Sequence, residues 1–396
     1  MTGANTRSVH GPAPRPVDQR PLVAPVHRSA TFVHDTAQDM AEVFAGRSAG
    51  WTYSRTDNPT ASAFADAVAA LEDPTGQAVG QPFASGMAAI SSTLMALCRS
   101  GSHVVAPREV YGGTWALLTR QLSRFGVTTS FVDGTDLDAV ERALTPSTAV
   151  LWGEVLANPT MTVADLPGLA AVARRAGVPL VVDATFASPV LCRPLEHGVD
   201  LVVHSATKYL GGHSDATGGV VVGRPELLSR IREVRLDLGG CLAPDEAFLL
   251  QRGLATLPLR VARQCQTAVL LARALQAHPE VARVDHPGLE THRDHALAGR
   301  LFAPGLYGAV LTLTPRGGRA AGMALLDGLR LIQRATSLGG TVSKAVHIAS
   351  TTHLQLDQAS LAAAGIDPGA VRLSVGLEDA QDLMDDLTQA LEGTGE

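Results

Sequence analysis

The sequence predicts an α/β protein with a mostly parallel central sheet, an extended N-terminal arm and a smaller C-terminal α+β domain. Its 396 residues exceed what a single hydrophobic core usually holds, so two domains are expected. Hydrophobic residues make up 45% of the chain and charged residues 18%, as in a compact globular protein. Short apolar runs alternate with helical patterns, and a mostly parallel sheet covered by helices accounts for this alternation.

The N-terminal segment differs from the rest of the chain. Residues 1–60 are rich in Pro, Arg, Thr and His and show no sustained periodicity, which predicts an extended arm that packs on a neighbouring subunit. Regular patterning begins with a predicted helix over 61–71. The segment 85–87 opens a second helix, which stops at 100–101.

Strands and helices then alternate along the chain. The predicted strands are short runs that are apolar on both faces, at 103–106, 127–132, 149–152, 179–183, 201–204 and 219–222. Helices are predicted between them, near 113–125, 136–144 and 165–176. Ligands bind at the carboxyl ends of the strands in such sheets, and four polar residues lie at these ends: Asp183, Thr185, His204 and Ser205.

A change of pattern marks the C-terminal part. A long helical region over 245–276 precedes the elements of a smaller α+β domain, with predicted strands at 281–285, 309–314 and 371–375 and helices near 318–329 and 378–391. We therefore expect an arm over 1–60, a larger domain over 61–257 and a C-terminal domain over 258–396.

Charge and cysteine content restrict the function. The net charge is only −6 and no long apolar stretch occurs, so neither nucleic acid nor a membrane is expected as a partner. The four scattered cysteines lack metal-like spacing and are interpreted as reduced thiols. Because the N-terminus also lacks the apolar core of a secretion signal, we expect a cytoplasmic protein.

Lysine is rare in this chain. Only Lys208 and Lys344 occur among 32 basic residues. Arginine serves as well as lysine on a solvated surface, so a retained lysine suggests a task that needs an amine, such as Schiff-base formation. Of the two, Lys344 is expected to be a solvated surface residue and not a second catalytic amine.

Candidate chemistry converges on a glycine-rich segment after a predicted buried strand. Lys208 lies there between small hydroxylated residues, and Ser205 and Thr207 are suited to donate to a phosphate. Asp183 ends another buried strand, where a carboxylate needs a cationic partner such as a protonated pyridine nitrogen. The helix start at 85–87 offers N–H groups to an anion. Together these features are what pyridoxal 5'-phosphate (PLP) requires.

A series of short segments then identifies a family. From about residue 50 to the C-terminus the chain contains, in order, Tyr53-Ser54-Arg55, Asn58-Pro59-Thr60, Ala84-Ser85-Gly86-Met87, Tyr111-Gly112-Gly113-Thr114, Asn158-Pro159-Thr160, the run from Val182 to Pro189, the run from His204 to Asp215, Arg252-Gly253-Leu254 with Thr256-Leu257, Ser337-Leu338-Gly339-Gly340 and the run from Arg372 to Asp379. In these segments it resembles the Cys/Met-metabolism (trans-sulfuration) family of PLP-dependent enzymes. That family contains cystathionine γ-synthase, cystathionine γ-lyase, methionine γ-lyase and O-acetylhomoserine sulfhydrylase.

The resemblance implies a fold and a cofactor site. The fold would be PLP fold type I, similar to aspartate aminotransferase, with residues 61–257 as the PLP-binding domain. Lys208 would form the internal aldimine with PLP and then move protons, Asp183 would hold the pyridinium, and Tyr111 would stack on the ring. The other implied cofactor-binding residues are Ser85, Gly86, Met87, Thr185, Ser205 and Thr207, with Tyr53 and Arg55 from the adjacent subunit.

The resemblance also implies a substrate site and an assembly. Arg372, helped by Ser337 and Asn158, would bind the carboxylate of a small amino-acid substrate through a bidentate guanidinium fork. Val342 is expected in the distal part of the same site. Because Tyr53 and Arg55 would serve the neighbour's phosphate, a homodimer is expected as the catalytic unit, paired into a dimer of dimers.

Several positions depart from the family pattern. Gly113 stands where methionine γ-lyases typically have cysteine. Val342 stands where enzymes acting on cystathionine commonly have a glutamate for the distal ammonium. Ile348 replaces a usual proline, and the run 349–353 resembles sulfhydrylases.

These departures leave the reaction open between two outcomes. We expect chemistry at Cγ of an amino acid derived from homoserine or homocysteine, either γ-replacement, as in cystathionine γ-synthase or a sulfhydrylase, or γ-elimination, as in cystathionine or methionine γ-lyase. Replacement on an activated homoserine ester is expected to be faster than elimination from methionine. Two other classes are a PLP-dependent aminotransferase of the same fold and a catalytically inactive scaffold.

No metal site is expected. The histidine-rich cluster of His286, His292, Asp294 and His295 lacks a helical His pair and contains Pro287-Gly288. It is interpreted as a surface loop of the C-terminal domain.

Overall fold

Two β-sheets with helices around them form the computed structural model, which describes Val9, residues 21–352, Leu354, Leu361 and residues 365–393. The larger sheet contains β1 (Val79–Phe83), β2 (His103–Pro107), β3 (Thr128–Val132), β4 (Thr148–Glu154), β5 (Leu180–Asp183), β6 (Leu201–Ser205) and β7 (Gly219–Gly223). The smaller sheet contains β8 (Val281–Asp285), β9 (Val310–Pro315), β10 (Gln333–Arg334), β11 (Lys344–His347) and β12 (Val371–Ser374).

Helices connect and cover these strands. They are α1 (Ala37–Phe44), α2 (Pro59–Glu72), α3 (Gly86–Leu97), α4 (Gly112–Ala116), α5 (Leu137–Ala143), α6 (Leu166–Ala176), α7 (Ser188–Leu191), α8 (Pro225–Leu238), α9 (Pro244–Leu254), α10 (Leu257–Gln276), α11 (His295–Leu301), α12 (Gly318–Gly328) and α13 (Ala380–Glu392). Shorter turns of other helical types lie at Leu117–Gln121, Leu122–Phe125, Pro194–His197 and Ile348–Ser350.

The larger sheet has the strand order β1-β7-β6-β5-β4-β2-β3. Neighbouring strands from β3 to β6 run parallel, and β7 runs antiparallel to both β6 and β1. Alternate residues of these strands enter two cores on opposite faces. Val182 and Val202 pack with α2, α6, α9 and α10, whereas Val181 and Val203 pack with α3 and α8. This confirms the predicted α/β class, with a mostly parallel sheet that is covered on both faces.

The smaller sheet is covered by helices on one face. Its order is β10-β11-β12-β9-β8, and its strands are antiparallel except for the β10–β11 pair. Ala345 and Leu373 pack against α10, α12 and α13. Because side chains alternate along a strand, Lys344 and Arg372 point from the opposite face. That face meets the larger domain, where the Thr312 hydroxyl donates to Pro159 O at 2.7 Å.

Two predicted elements are corrected by the structure. The arm is not extended throughout, because α1 forms where Thr36 accepts the Asp39 N–H at 3.0 Å and caps the helix. The helical region 245–276 is two helices, since Pro258, in the first turn of α10, has no N–H to continue α9.

The prediction also missed strands. Strand β1 contains Gly80 and Pro82, residues that weaken a strand pattern, and Pro82 is accommodated because β1 pairs with β7 on one side only. Strands β10 and β11 were missed because each is short and lies next to a glycine-rich segment.

We propose the domain division expected from the sequence: an arm over 1–60, a PLP-binding domain over 61–257 and a C-terminal domain over 258–396. The two sheets fall on either side of residue 257, which supports this division. Of the helices in the described residues, none is long and apolar enough to cross a membrane. The cytoplasmic location remains a prediction from the sequence.

Candidate active site

A cavity of about 350 Å³ lies at the carboxyl ends of β4, β5 and β6, where the larger sheet meets the smaller one. The end residues Glu154 and Asp183 are direct neighbours in the strand register. Ten sequence-predicted residues line this cavity together: Gly86, Met87, Tyr111, Asn158, Asp183, Thr185, Ser205, Lys208, Ser337 and Arg372. The fold therefore brings most of the predicted site to one place.

Lys208 follows β6 and projects its amine toward the C-terminal domain. Its Nζ donates to the Ser337 hydroxyl at 2.7 Å. Ser337 has a left-handed backbone, with φ of 76°, which is uncommon outside glycine and marks a locally constrained segment. Burial lowers the pKa of Lys208 to about 8, and the positive charges of Arg372 and Lys344 act in the same direction. An amine with this pKa is partly unprotonated near neutral pH, as a nucleophile or base must be.

Asp183 ends β5 inside the protein. Its Oδ1 accepts the Thr185 N–H at 2.8 Å, and the Thr185 hydroxyl in turn accepts the Ser205 N–H at 2.8 Å. Burial raises the pKa of Asp183, while hydrogen bonds from Thr185 and the electrostatic interaction with the neighbouring His204 oppose this rise. No described lysine or arginine contributes to the shift. A cation at this carboxylate would therefore be bound favourably.

A buried glutamate and a buried histidine lie on the two strands that flank Asp183. Glu154 is its neighbour on β4, and burial together with the Asp183 charge raises the pKa of Glu154 well above its usual range. Glu154 accepts the Tyr111 backbone N–H at 2.6 Å, so it also positions the start of α4. On the other side, His204 Nε2 lies 2.5 Å from Glu72 Oε1, and this pair is almost fully buried.

The start of α3 forms one wall of the cavity. The Ser85 hydroxyl accepts the Ala88 N–H at 3.1 Å and caps the helix. The N–H groups of Gly86 and Met87 belong to the first turn, where a helix has no internal acceptors. A Cβ on Gly86 would lie 2.7 Å from Ser205 Cβ, so only glycine lets these two backbones come together. The helix start and Ser205 thus form a compact cradle for an anion.

Tyr111 lies at the open side of the cavity. It precedes α4, lines the cavity and is 45% exposed, so its side chain is accessible to a ligand there. A Cβ on Gly113 would lie 2.5 Å from Tyr111 Cε1 and 2.9 Å from Met87 Sδ. The Tyr111 ring therefore occupies the space that any larger residue at position 113 would need.

Arg372 reaches the cavity from β12 and is only 4% exposed. Its Nη1 donates to Asn158 Oδ1 at 3.1 Å and its Nη2 to Ser337 O at 3.0 Å. Its Nε has no hydrogen-bond partner among the described residues. Burial lowers the pKa of Arg372 to about 10, so the guanidinium stays charged at neutral pH. A buried cation with an unused N–H suits a carboxylate ligand.

Five predicted residues lie outside the cavity lining of this single chain: Tyr53, Arg55, Ser85, Thr207 and Val342. The Thr207 hydroxyl donates to Gly218 O at 3.3 Å and accepts the Gly218 N–H at 3.1 Å, so it is already bound within its own chain. Arg55 donates to Leu236 O at 2.8 Å, and Val342 is 45% exposed. His353, the last residue of the sulfhydrylase-like run, lies outside the described residues.

Sequence reasoning missed other residues that line the cavity. They are Ile90, Glu154, Leu156, Phe186, Thr336, Leu338 and Thr352. Glu154 was detectable, because it ends a strand beside Asp183 and polar residues at such ends face the ligand site. The apolar residues carry no comparable pattern.

The prediction for His286 is wrong, whereas Lys344 lies near the surface, where its hydrogen bond to Ser214 is exposed. His286 is fully buried instead of lying on a surface loop, and it bonds to Gly308 O at 3.1 Å and to the Gly288 N–H at 3.0 Å. Lys344 is half-buried on β11 and donates to the Ser214 hydroxyl at 2.7 Å. Across the residues that the structure covers, no group of three or more His, Cys, Asp and Glu side chains could hold a metal ion.

The residues present fit PLP. The anion cradle at Gly86 and Ser205 suits a phosphate, the buried Asp183 carboxylate suits a pyridinium, and the Lys208 amine with its lowered pKa suits Schiff-base formation. These groups converge at the strand ends of a mostly parallel sheet with a smaller C-terminal sheet beside it. Fold and site thus define the class of PLP-dependent enzymes of fold type I.

Comparison with known proteins narrows this class. The family described as Cys/Met metabolism PLP-dependent enzyme matches residues 5–392, and the chain belongs to this family. An L-methionine gamma-lyase of Pseudomonas putida is 43% identical over 100% of this chain and 98% of its own. A cystathionine gamma-synthase of Mycobacterium bovis is 38% identical over 99% of this chain and 97% of its own.

A solved structure agrees with this assignment. A putative O-acetylhomoserine (thiol)-lyase from Campylobacter jejuni superposes with a TM-score of 0.91, at 32% identity over 98% of this chain and 99% of its own, and it carries an N'-pyridoxyl-lysine-5'-monophosphate. The chain is therefore a PLP-dependent trans-sulfuration enzyme of the γ-synthase and γ-lyase group. The predicted family, fold class, cofactor and enzyme class are confirmed. The comparisons favour this family over the aminotransferase alternative.

Proposed function

We propose that the enzyme binds an amino acid with a leaving group on Cγ and favours γ-replacement by a thiol over γ-elimination from methionine. Lys208 carries PLP, Asp183 pairs with the pyridine nitrogen, Tyr111 stacks on the ring, and Arg372 holds the substrate α-carboxylate. When bound, PLP withdraws electrons from the carbon atoms of the attached amino acid.

The phosphate ligands complete the proposed cofactor site. Gly86 and Met87 donate backbone N–H groups, with Ser205 beside them and Thr185 positioning the Ser205 backbone. Ser85 contributes by capping α3, and Thr207 stays a prediction, because its hydroxyl bonds to Gly218 within this chain. Asn158 and Ser337 orient the Arg372 guanidinium.

Lys208 is the proposed proton carrier. When it is released from the cofactor, its Nζ can take the proton from Cα of the substrate, and the Ser337 hydroxyl at 2.7 Å is placed to orient it. After giving this proton up, the same amine can take a proton from Cβ and pass it to the leaving group as the bond between Cγ and that group breaks. These residue roles are shared by replacement and elimination, so they support both outcomes equally.

The preference for replacement rests mainly on Gly113. The Tyr111 ring fills the space that a cysteine at position 113 would need, so the arrangement typical of methionine γ-lyases cannot form without moving Tyr111. Elimination from methionine is the second candidate, favoured by the 43% identity to the Pseudomonas putida enzyme. Val342 supports neither outcome, because it does not line the cavity of its own chain.

A substrate panel tests this preference. With O-acetyl-L-homoserine and ethanethiol, thioether formation is expected to exceed the release of 2-oxobutyrate from L-methionine, measured with both products quantified on one enzyme preparation. Gly113→Cys provides the matched variant. It is expected to displace Tyr111 and so lower the ratio of thioether formation to the release of 2-oxobutyrate from methionine. Faster release of 2-oxobutyrate from methionine or cystathionine than any replacement would make the enzyme a lyase.

We also propose a homodimer, paired into a tetramer, in which each site takes Tyr53 and Arg55 from the neighbouring chain. Arg55 stacks over the Tyr53 ring at 5.9 Å, and neither side chain lines the cavity of its own chain. The arm also exposes large apolar side chains, with Val33 99% and Phe44 66% accessible. Exposed apolar groups of this kind mark surfaces that another chain covers.

Mixing two inactive variants tests the shared site. Arg55→Ala and Lys208→Ala place both lesions in one site of each hybrid dimer and leave the other site intact. Random re-association of equal amounts is expected to restore roughly a quarter of wild-type activity. Co-purification through two different tags confirms that hybrids form, and hybrids that form but stay inactive would contradict the shared site.

A further inference from the structure

Lys344, the second of the two lysines, faces the same side of the smaller sheet as Arg372. It pairs with Ser374 across β11 and β12, and Ser374 is two residues from Arg372, so all three side chains share one face. The segment with Ser337 and Gly339 crosses this face: Ser337 O accepts from Arg372 at 3.0 Å, and the Gly339 N–H donates to the Ser374 hydroxyl at 3.1 Å. Lys344 therefore shares the face of the smaller sheet that carries Arg372, and it lies beyond the residues that line the cavity itself.

Lys344 is a cation without an anionic partner. Its Nζ donates to the neutral Ser214 hydroxyl at 2.7 Å, and among the described residues it forms no ion pair. The carboxylate of Glu378 is bound by Ser343, the residue before Lys344. The Ser343 N–H and hydroxyl donate to its two oxygens at 2.6 and 2.7 Å. The Lys344 charge is therefore available to a ligand.

The positive charge of Lys344 also acts on the Lys208 amine. Together with Arg372 it contributes to the lowered pKa of Lys208. The substrate would thus meet two separate cations on one face of the smaller sheet. Lys344 and Arg372 lie on neighbouring strands, and because Lys344 is opposite Ser374 their backbones are offset by two residues, or roughly 7 Å, along the strands.

We propose that Lys344 is a specificity residue that binds a second carboxylate, carried either by the acyl leaving group of a homoserine ester or by the incoming thiol. The inference rests on the proposed function, in which Arg372 holds the α-carboxylate. The Lys344 ammonium, which donates to the exposed Ser214 hydroxyl, can bind a carboxylate through charge-assisted hydrogen bonds. It would repel a second ammonium, so a thiol with a carboxylate and no amine is the preferred nucleophile.

The first arm of the test varies the leaving group. Values of kcat/KM are compared for O-succinyl-L-homoserine and O-acetyl-L-homoserine in wild type, Lys344→Met and Lys344→Arg. Total Cγ cleavage is measured as 2-oxobutyrate plus thioether, so the ratio does not depend on whether the enzyme replaces or eliminates. Because both esters are compared in one variant, general damage to the enzyme cancels.

The second arm varies the nucleophile. With O-acetyl-L-homoserine held constant, 3-mercaptopropionate is compared with 1-propanethiol as the thiol, in the same three proteins. A third measurement needs no turnover: L-2-aminoadipate and L-norleucine are titrated into the holoenzyme, and their affinities are read from the change in cofactor absorbance. Arg300→Met, an exposed arginine on α11, serves as a matched loss of one positive charge.

A loss of preference in Lys344→Met is the expected result. Loss of one charge-assisted contact corresponds to about a tenfold fall in the preference for the carboxylate-bearing compound. In Lys344→Met we expect this preference to fall at least about fivefold in the leaving-group arm or the thiol arm, with a similar fall in the binding measurement. In Lys344→Arg and Arg300→Met the preference is expected to stay within about twofold of wild type. The arm that responds identifies which reactant carries the carboxylate.

A smaller fall in every arm would overturn the role of Lys344. Failure of the proposed function gives a different result. An enzyme that only eliminates forms no thioether, yet the role of Lys344 can still be tested in it through the leaving-group ratio and the binding ratio. If Lys344→Met does not fold, Lys344→Gln takes its place with the same thresholds.

Discussion

Replacing Lys208 with alanine is expected to lower turnover by roughly 10³-fold or more, because the variant loses the amine that both attaches PLP and moves the substrate proton. The half-buried position of Lys208 and its pKa of about 8 make it the amine prepared for this chemistry. The near-visible absorbance band of the protein–PLP Schiff base is expected to disappear as well.

Controls separate this result from misfolding. Lys344→Ala is expected to keep the band, since Lys344 bonds to Ser214 and its proposed role concerns the substrate and not the cofactor. Circular dichroism and the thermal transition of Lys208→Ala are expected to resemble those of the wild-type apoenzyme. A Lys208→Ala protein that keeps the Schiff-base band would contradict the assignment.

Arg372→Lys is expected to lower kcat/KM for amino-acid substrates by about 10- to 100-fold. A guanidinium can clasp a carboxylate with two parallel N–H bonds, whereas an ammonium acts as a point charge, and charge-assisted hydrogen bonds of this kind contribute about 1.5 to 3 kcal/mol. The loss is expected mainly in KM, because the contact is made in the ground state as well as in the transition state.

The cofactor band is the internal control for this variant. It is expected to persist, since Arg372 bonds to Asn158 and Ser337 and not to the anion cradle at Gly86. Arg300→Lys, at an exposed position, is expected to change kcat/KM by less than about twofold. An unchanged affinity for amino acids in Arg372→Lys would remove Arg372 from the substrate site.

The central sheet was predictable because its strands are apolar on both faces. Strands β4 to β7 are almost entirely buried, which leaves continuous apolar runs that periodicity analysis detects. Strand β1 was not predictable in this way, since Gly80 and Pro82 disrupt its pattern and its place in the sheet depends on pairing with β7. Pairing between distant segments is not a local property of the sequence.

The site, like the sheet, contains residues that the local sequence identifies and contacts that depend on distant segments of the chain. Lys208 and Asp183 were found from the residues themselves, because a rare lysine follows one buried strand and a carboxylate ends another, whereas Arg372 was implied by the family resemblance. Their partners were harder to predict, because the Lys208–Ser337 hydrogen bond joins residues 129 positions apart in the chain. The place of Lys344 on the face that carries Arg372 depends on its pairing with Ser374 across the smaller sheet, which is not a local property of the sequence.

The account depends most directly on the amine that holds the cofactor. Borohydride reduction of the holoenzyme, followed by peptide mapping with mass spectrometry, locates the pyridoxyl group on one of the two lysines of the chain. We predict that the label is found on the peptide with Lys208 and is absent from the peptide with Lys344. A label on Lys344, or no covalent label in an active enzyme, would contradict the proposed site.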